Sequence, residues 1–179
     1  MRLQMTRMNQ LRLSPAQLPR CRGFTMIEVL VTVVILAVGL LGLAGMQGVS
    51  MRNNHSAYLR SQAVQLAYDM ADRVRSNSEY RSDFDGLSGA AAPDCESTSK
   101  CTAENLARND IYKWEQEIAA ILPAGDSIIC LDSTPDDGAA NDAAQCDGSG
   151  TSYAVKIWWN DNRAGDGAPP QRFVMSFRP

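Results

Sequence analysis

Glu28 is the residue in this chain whose position most demands a chemical explanation. It stands one turn after Phe24 and directly before Val29 to Met51, a run of 23 residues without a charge. A carboxylate in hydrocarbon costs about 2–3 kcal/mol or more, so it calls for a positive partner. No lysine or arginine occurs in the 23 positions that follow it. A cut after Gly23 would create one, the α-amino group of Phe24, from the same chain or from a copy or homologue packed alongside. A carboxylate that snorkels to the headgroups or stays protonated is the plainer reading. With the amine as partner, the chemistry would be recognition by charge, not bond-making.

The other reactive side chains are cysteines and acids. Cys21 precedes Gly23 and would leave with the leader. Cys95, Cys101, Cys130 and Cys146 remain, an even number. In an oxidising compartment that favours two disulfides, with three possible pairings. Cys95–Cys101 and Cys130–Cys146 are preferred, because each closes a short polar loop and contributes a few kcal/mol in the chain-entropy model. Zinc is the alternative, but no C-x-x-C pair exists and no histidine is near. Asp132, Asp136, Asp137, Asn141 and Asp142 are dense enough in oxygen to suggest calcium. They lack the EF-hand spacing and its terminal glutamate, so a solvated loop is expected and no metal or other cofactor is assigned. There is no G-x-S-x-G, P-loop or H-E-x-x-H, and His55 is the single histidine. No enzyme is expected.

The elements that must position these groups follow from charge and periodicity. Of 179 residues, 45% are hydrophobic and 21% charged, which suits one domain with an appendage. Residues 1–23 carry Arg2, Arg7, Arg12, Arg20 and Arg22 and no acid, whereas the rest has a net charge of −8. An acidic body excludes a nucleic-acid partner bound on a basic face. The uncharged run reaches roughly 35 Å as a helix, enough to span a bilayer. The arginines ahead of it place the N-terminus in the cytoplasm and the body in the periplasm. The run is too long for a secretory signal, and the small residue Gly23 precedes it.

No proline interrupts Arg20 to Ala92, so a helix from Phe24 to about Asn77 is expected. Past the membrane an apolar stripe of Met51, His55, Leu59, Ala63, Leu66, Met70 and Val74 recurs at helical steps. His55 reads as interfacial or core. Gly39, Gly42, Gly45 and Gly48 recur every third residue, which suits either close helix packing or a helix that can bend on leaving lipid. Ser82 to Lys100 reads as a loop. Thr102 can cap a second helix reaching about Leu122, with Leu106, Ile111, Trp114, Ile118 and Leu122 on its apolar side. Strands follow at 127–131, 152–159 and 171–178, the last two alternating in polarity around a 160–170 hairpin. The architecture is α+β, a long helix against a small antiparallel sheet.

The segment Gly23-Phe24-Thr25-Met26-Ile27-Glu28-Val29-Leu30 resembles the class III signal of type IV prepilins and type II secretion pseudopilins. The resemblance implies a type IV pilin-like fold and a leader, 1–23, removed after Gly23 by prepilin peptidase. It further implies methylation of Phe24 and a Glu28 that meets the terminal amine of a neighbouring subunit. The chain would then divide into an assembly helix, 24–51, and a periplasmic body, 52–179, that includes the amphipathic half-helix 52–77. Ala71-Asp72-Arg73-Val74-Arg75-Ser76-Asn77, Trp114, Leu122-Pro123 and the Phe177-Arg178-Pro179 ending resemble minor pilins that help initiate pilus assembly. The partners so implied are other minor pilins, the major pilin, the inner-membrane assembly platform and a pilus-tip adhesin. A minor pseudopilin is the alternative; an anchored periplasmic enzyme or binding domain is the reading from another class.

Overall fold

The computed structural model describes residues 23–97, 101–161 and 169–179. The leader with Cys21, and most of the 160–170 hairpin, lie outside the described residues. The chain falls into two units divided between Gly45 and Met46.

Helix α1 is Met26–Ser76. In the first unit every described side chain is exposed. The helix is nonetheless secure, because Val, Leu and Ala fill it without proline and its polar groups are satisfied locally. Thr25 Oγ1 accepts from the Glu28 N–H at 3.3 Å, and the Thr32 hydroxyl donates to the Val29 carbonyl at 2.8 Å. A helix this long and apolar can cross a membrane.

In the second unit α1 buries Leu59, Ala63, Leu66, Ala67, Met70, Ala71 and Val74. Met51 and His55 are exposed, so the buried stripe begins later than the periodicity implies. The sheet sets that limit: Ser56 hydrogen-bonds Asp161, just past the last residue of the central strand. Helix α2 is Ala103–Ile121, and Thr102 caps it by accepting the Asn105 N–H at 3.2 Å. The side chains of Ala107, Ile111, Trp114 and Ile118 are buried, and Leu106 is only half-buried. Strands β1 (Asp126–Leu131), β2 (Tyr153–Trp159) and β3 (Gln171–Phe177) form an antiparallel sheet in the order β1-β2-β3. Ile129 pairs with Val155, and Ile157 with Phe173.

Tyr153, Val155, Ile157 and Trp159 face the core shared with α1 and α2. Alternation in β2 implies a solvated opposite face, yet all seven β2 residues are buried. The segment 132–147 supplies the cover. It meets Lys156 through Asp132, Asp137 and the Ala144 carbonyl and lies beside Trp158 through Asp136, Gly138 and Ala139, and this makes an α+β body with a lid on the sheet's second face.

Candidate functional site

The N-terminal segment presents a chain end, an aromatic and an acid on one apolar helix. Gly23 and Phe24 precede the helix, and Phe24 is 82% exposed. Glu28 falls in the first turn, where the helix dipole favours a negative charge. Its carboxylate has no ion-pair or hydrogen-bond partner among the described residues. Thr25-Met26-Ile27-Glu28 has the spacing of a capping box, a signal that charge placement alone misses; the threonine half of the box forms. A Cβ placed on Gly39, Gly42, Gly45 or Gly48 would meet nothing within 4 Å. Among the described residues, no contact requires these glycines.

In the body, Cys95 is bonded to Cys101 and Cys130 to Cys146, with Cα separations of 4.7 and 6.1 Å. The second bridge ties the two ends of the lid. Beneath it, the Lys156 ammonium is fully buried and lies 2.6 Å from Asp132 Oδ2, itself fully buried. The two form a buried ion pair. Lys156 Nζ also donates to Asp137 Oδ1 at 2.7 Å and to the Ala144 carbonyl at 2.8 Å. Burial alone would lower the lysine's pKa, but bonding to Asp132 and Asp137 outweighs it and holds the value above normal. The same ammonium, with Thr134 adding a hydrogen bond, holds the Asp137 carboxyl below its normal range. From β3, Arg172 donates to Asp136 Oδ1 at 2.9 Å and to the Gly138 carbonyl. Gly138 must be glycine, since φ is +82° and a Cβ would strike the Ala144 carbonyl.

The acidic loop is therefore a correction to the solvated reading. Asp132 is buried and Asp137 is engaged, because β2 delivers an ammonium into their midst. Asp132 also lies beside the Cys130 and Cys146 sulfurs, within 4.8 Å. Those sulfurs are bonded to each other, so Lys156 is what neutralises the acid. Sequence reasoning passed over Lys156, although a lone cation within Tyr-Ala-Val-Lys-Ile-Trp-Trp asks for buried carboxylates.

Two family models match the chain. The prokaryotic N-terminal methylation motif covers residues 18–44, and the family described as type IV pilin Tt1218 covers residues 45–112. The chain belongs to the type IV pilin-like superfamily. Neither a curated protein nor a solved structure matches it.

As a pilin-type subunit, the chain has a long first helix, a second helix and a three-stranded antiparallel sheet, which together make the α+β fold of the family. The methylation motif and the apolar helix behind it support membrane anchoring and incorporation into a pilus-type assembly. Family membership also implies prepilin peptidase processing and contact with other pilus components. The pilin-family match suggests a structural protein rather than an enzyme.

Proposed function

We propose that this pilin-like chain is a minor pilin of the type IV pilus, akin to the pilus modification protein PilV, that helps prime assembly. It would thereby support surface piliation, twitching motility and adhesion. The observation that carries the reading is Glu28: an acid with no partner among the described residues, at the head of the exposed apolar part of α1, within a matched methylation motif. On that view the acid acquires its partner when another subunit's amino terminus meets it, and low dielectric strengthens that attraction. In this reading prepilin peptidase removes 1–23 and Phe24 is methylated. Helix 24–51 enters the assembly platform and packs with other minor pilins and the major pilin, and the body 52–179 is periplasmic before assembly. A tip adhesin is the further partner.

Intact mass tests the processing. A mature chain starting at methylated Phe24 is expected; one that retains Cys21, or is cut after residue 50, overturns it. Glu28→Ala tests assembly in a strain carrying only that form, with abundance and cleavage followed by immunoblot. Impaired piliation and twitching with intact cleavage is expected, only partial if the subunit sits at the filament tip. Normal piliation at normal abundance overturns the role of Glu28. Loss of protein secretion with normal piliation would instead assign the chain to a type II secretion pseudopilus.

A further inference from the structure

Two carboxyls meet one amine nitrogen beneath the lid. Lys156 lies on β2 between Ile128 of β1 and Val174 of β3, apolar cross-strand neighbours on that face. Its side chain and that of Asp132 are both 0% exposed. Lys156 Nζ stands 2.6 Å from Asp132 Oδ2 and 2.7 Å from Asp137 Oδ1. One residue fixes both carboxyls in turn. The Thr134 N–H donates to Asp132 Oδ1 at 2.9 Å, and the Thr134 hydroxyl donates to Asp137 Oδ2 at 2.9 Å.

A lysine amine and an aspartate carboxyl at contact are the two halves of an amide. In water their ionised forms do not condense, but this pair differs in four ways. It is out of water, where two charges are costly and a neutral product is not. Its reacting groups are held together, and effective molarities for well-oriented groups reach about 10⁵–10⁸ M. Asp137 sits on the same nitrogen and can move a proton. The Thr134 N–H lies on the oxygen where negative charge would gather during attack. The exposed pair Lys113–Glu96, at 2.9 Å, has no second carboxyl on its nitrogen among the described residues.

We propose that Lys156 and Asp132 condense to an isopeptide bond, a self-catalysed modification that ties the start of the lid to the central strand. One Nζ proton passes to Asp132 Oδ2, which leaves a neutral amine beside a neutral acid. The nitrogen lone pair attacks Asp132 Cγ, and the carbonyl electrons move onto Oδ1, held by the Thr134 N–H. Asp137 takes the second Nζ proton and delivers it to Oδ2. The Cγ–Oδ2 bond breaks and one water leaves past Asp137, which is only half-buried. Ammonium and carboxylate become amide and water, and Asp137 ends as it began. The ion pair is the resting state and the neutral pair a minor one, so the reaction is slow; it needs to occur once per chain. The assignment rests on the body alone and does not depend on which assembly the chain joins.

Intact mass of the purified full chain tests the bond. A mass one water below that calculated for its own termini and two disulfides is expected. Trypsin should fail to cut after Lys156 and leave 114–163 as one peptide, while cutting after Lys113 as usual. Lys156→Arg and Asp132→Ala should each restore the missing water. Asp137→Asn should slow the reaction about a hundredfold, the worth of one proton-transferring group, as followed by pulse-labelling from synthesis. Unchanged tryptophan fluorescence would show that this variant keeps the fold. A wild-type chain of full mass overturns the proposal. So does a water loss with normal cleavage after Lys156, the pattern of a succinimide at Asp132. Reaction of a folded Asp137→Asn at the wild-type rate overturns the role of Asp137.

Discussion

From Phe24 to Gly45 every side chain is exposed, Leu41 by 74%, whereas from Leu59 to Val74 seven side chains of the same helix are exposed by 7% or less. One helix thus obeys two rules. In its first part, apolar side chains are distributed all round, which suits a surrounding of lipid or other helices rather than any surface of this chain. In its second part, a single stripe is apolar because α2 and the sheet cover that side and water meets the other. The contrast extends to charge. Glu28 in the first part is exposed and has no partner among the described residues, while Asp132 in the body is buried and meets Lys156 at 2.6 Å. An acid whose partner is supplied within the fold serves the fold; one whose partner must come from outside serves assembly.

The comparison breaks first at Lys156. Lys156→Met should destabilise the body by about 3–5 kcal/mol, since Asp132 would be left buried and unpaired. Asp132→Asn in the same chain should recover part of that loss. Denaturant unfolding of the full chain in detergent, read by tryptophan fluorescence, measures both, and membrane insertion should be unaffected. Removing the lid's covalent tie by Cys130→Ser with Cys146→Ser should cost about 3 kcal/mol, from a loop with a sequence separation of 16. The same pair of changes at Cys95 and Cys101, separated by 6, should cost less. Thermal scans with and without reductant check the order.

A smaller effect sharpens the comparison through pH. The folded state holds the Glu115 pKa above its normal value of 4.5, so ionising it opposes folding. Glu115→Gln should therefore stabilise the body at neutral pH, by under about 1 kcal/mol given its partial exposure. That advantage should shrink as pH falls through the raised folded value and vanish below 4.5. Stability measured across acidic pH tests the sign. The smallest effect belongs to the first unit. Leu36, 63% exposed, can become alanine with a change in body stability of under about 0.5 kcal/mol. A large loss on Leu36→Ala would show that the two parts of the helix are energetically one.

Much of this pilin-like chain was written in local residue order. The uncharged run, the arginine leader and Glu28 are one-dimensional facts, and a helix is a local structure, so α1, α2 with its Thr102 cap and the three strands could be read within a residue or two of their ends. The family signal at Gly23-Phe24-Thr25-Met26-Ile27-Glu28 is equally local. What tertiary structure decided was which surfaces meet. Periodicity placed Met51 and His55 on the buried stripe, but burial needs a facing element, and the sheet ends near Ser56. Alternation gave β2 a wet face, but whether a face is wet depends on what folds over it, and the segment 132–147 does. The acids of that loop looked solvated because Lys156 stands 19 residues from Asp137 and becomes its neighbour only through the β1–β2 pairing. A cleft lined by Gly89, Glu115 and Ser127 could not be read at all: these residues lie far apart in sequence, and a cavity is the space that several elements leave unfilled when they pack.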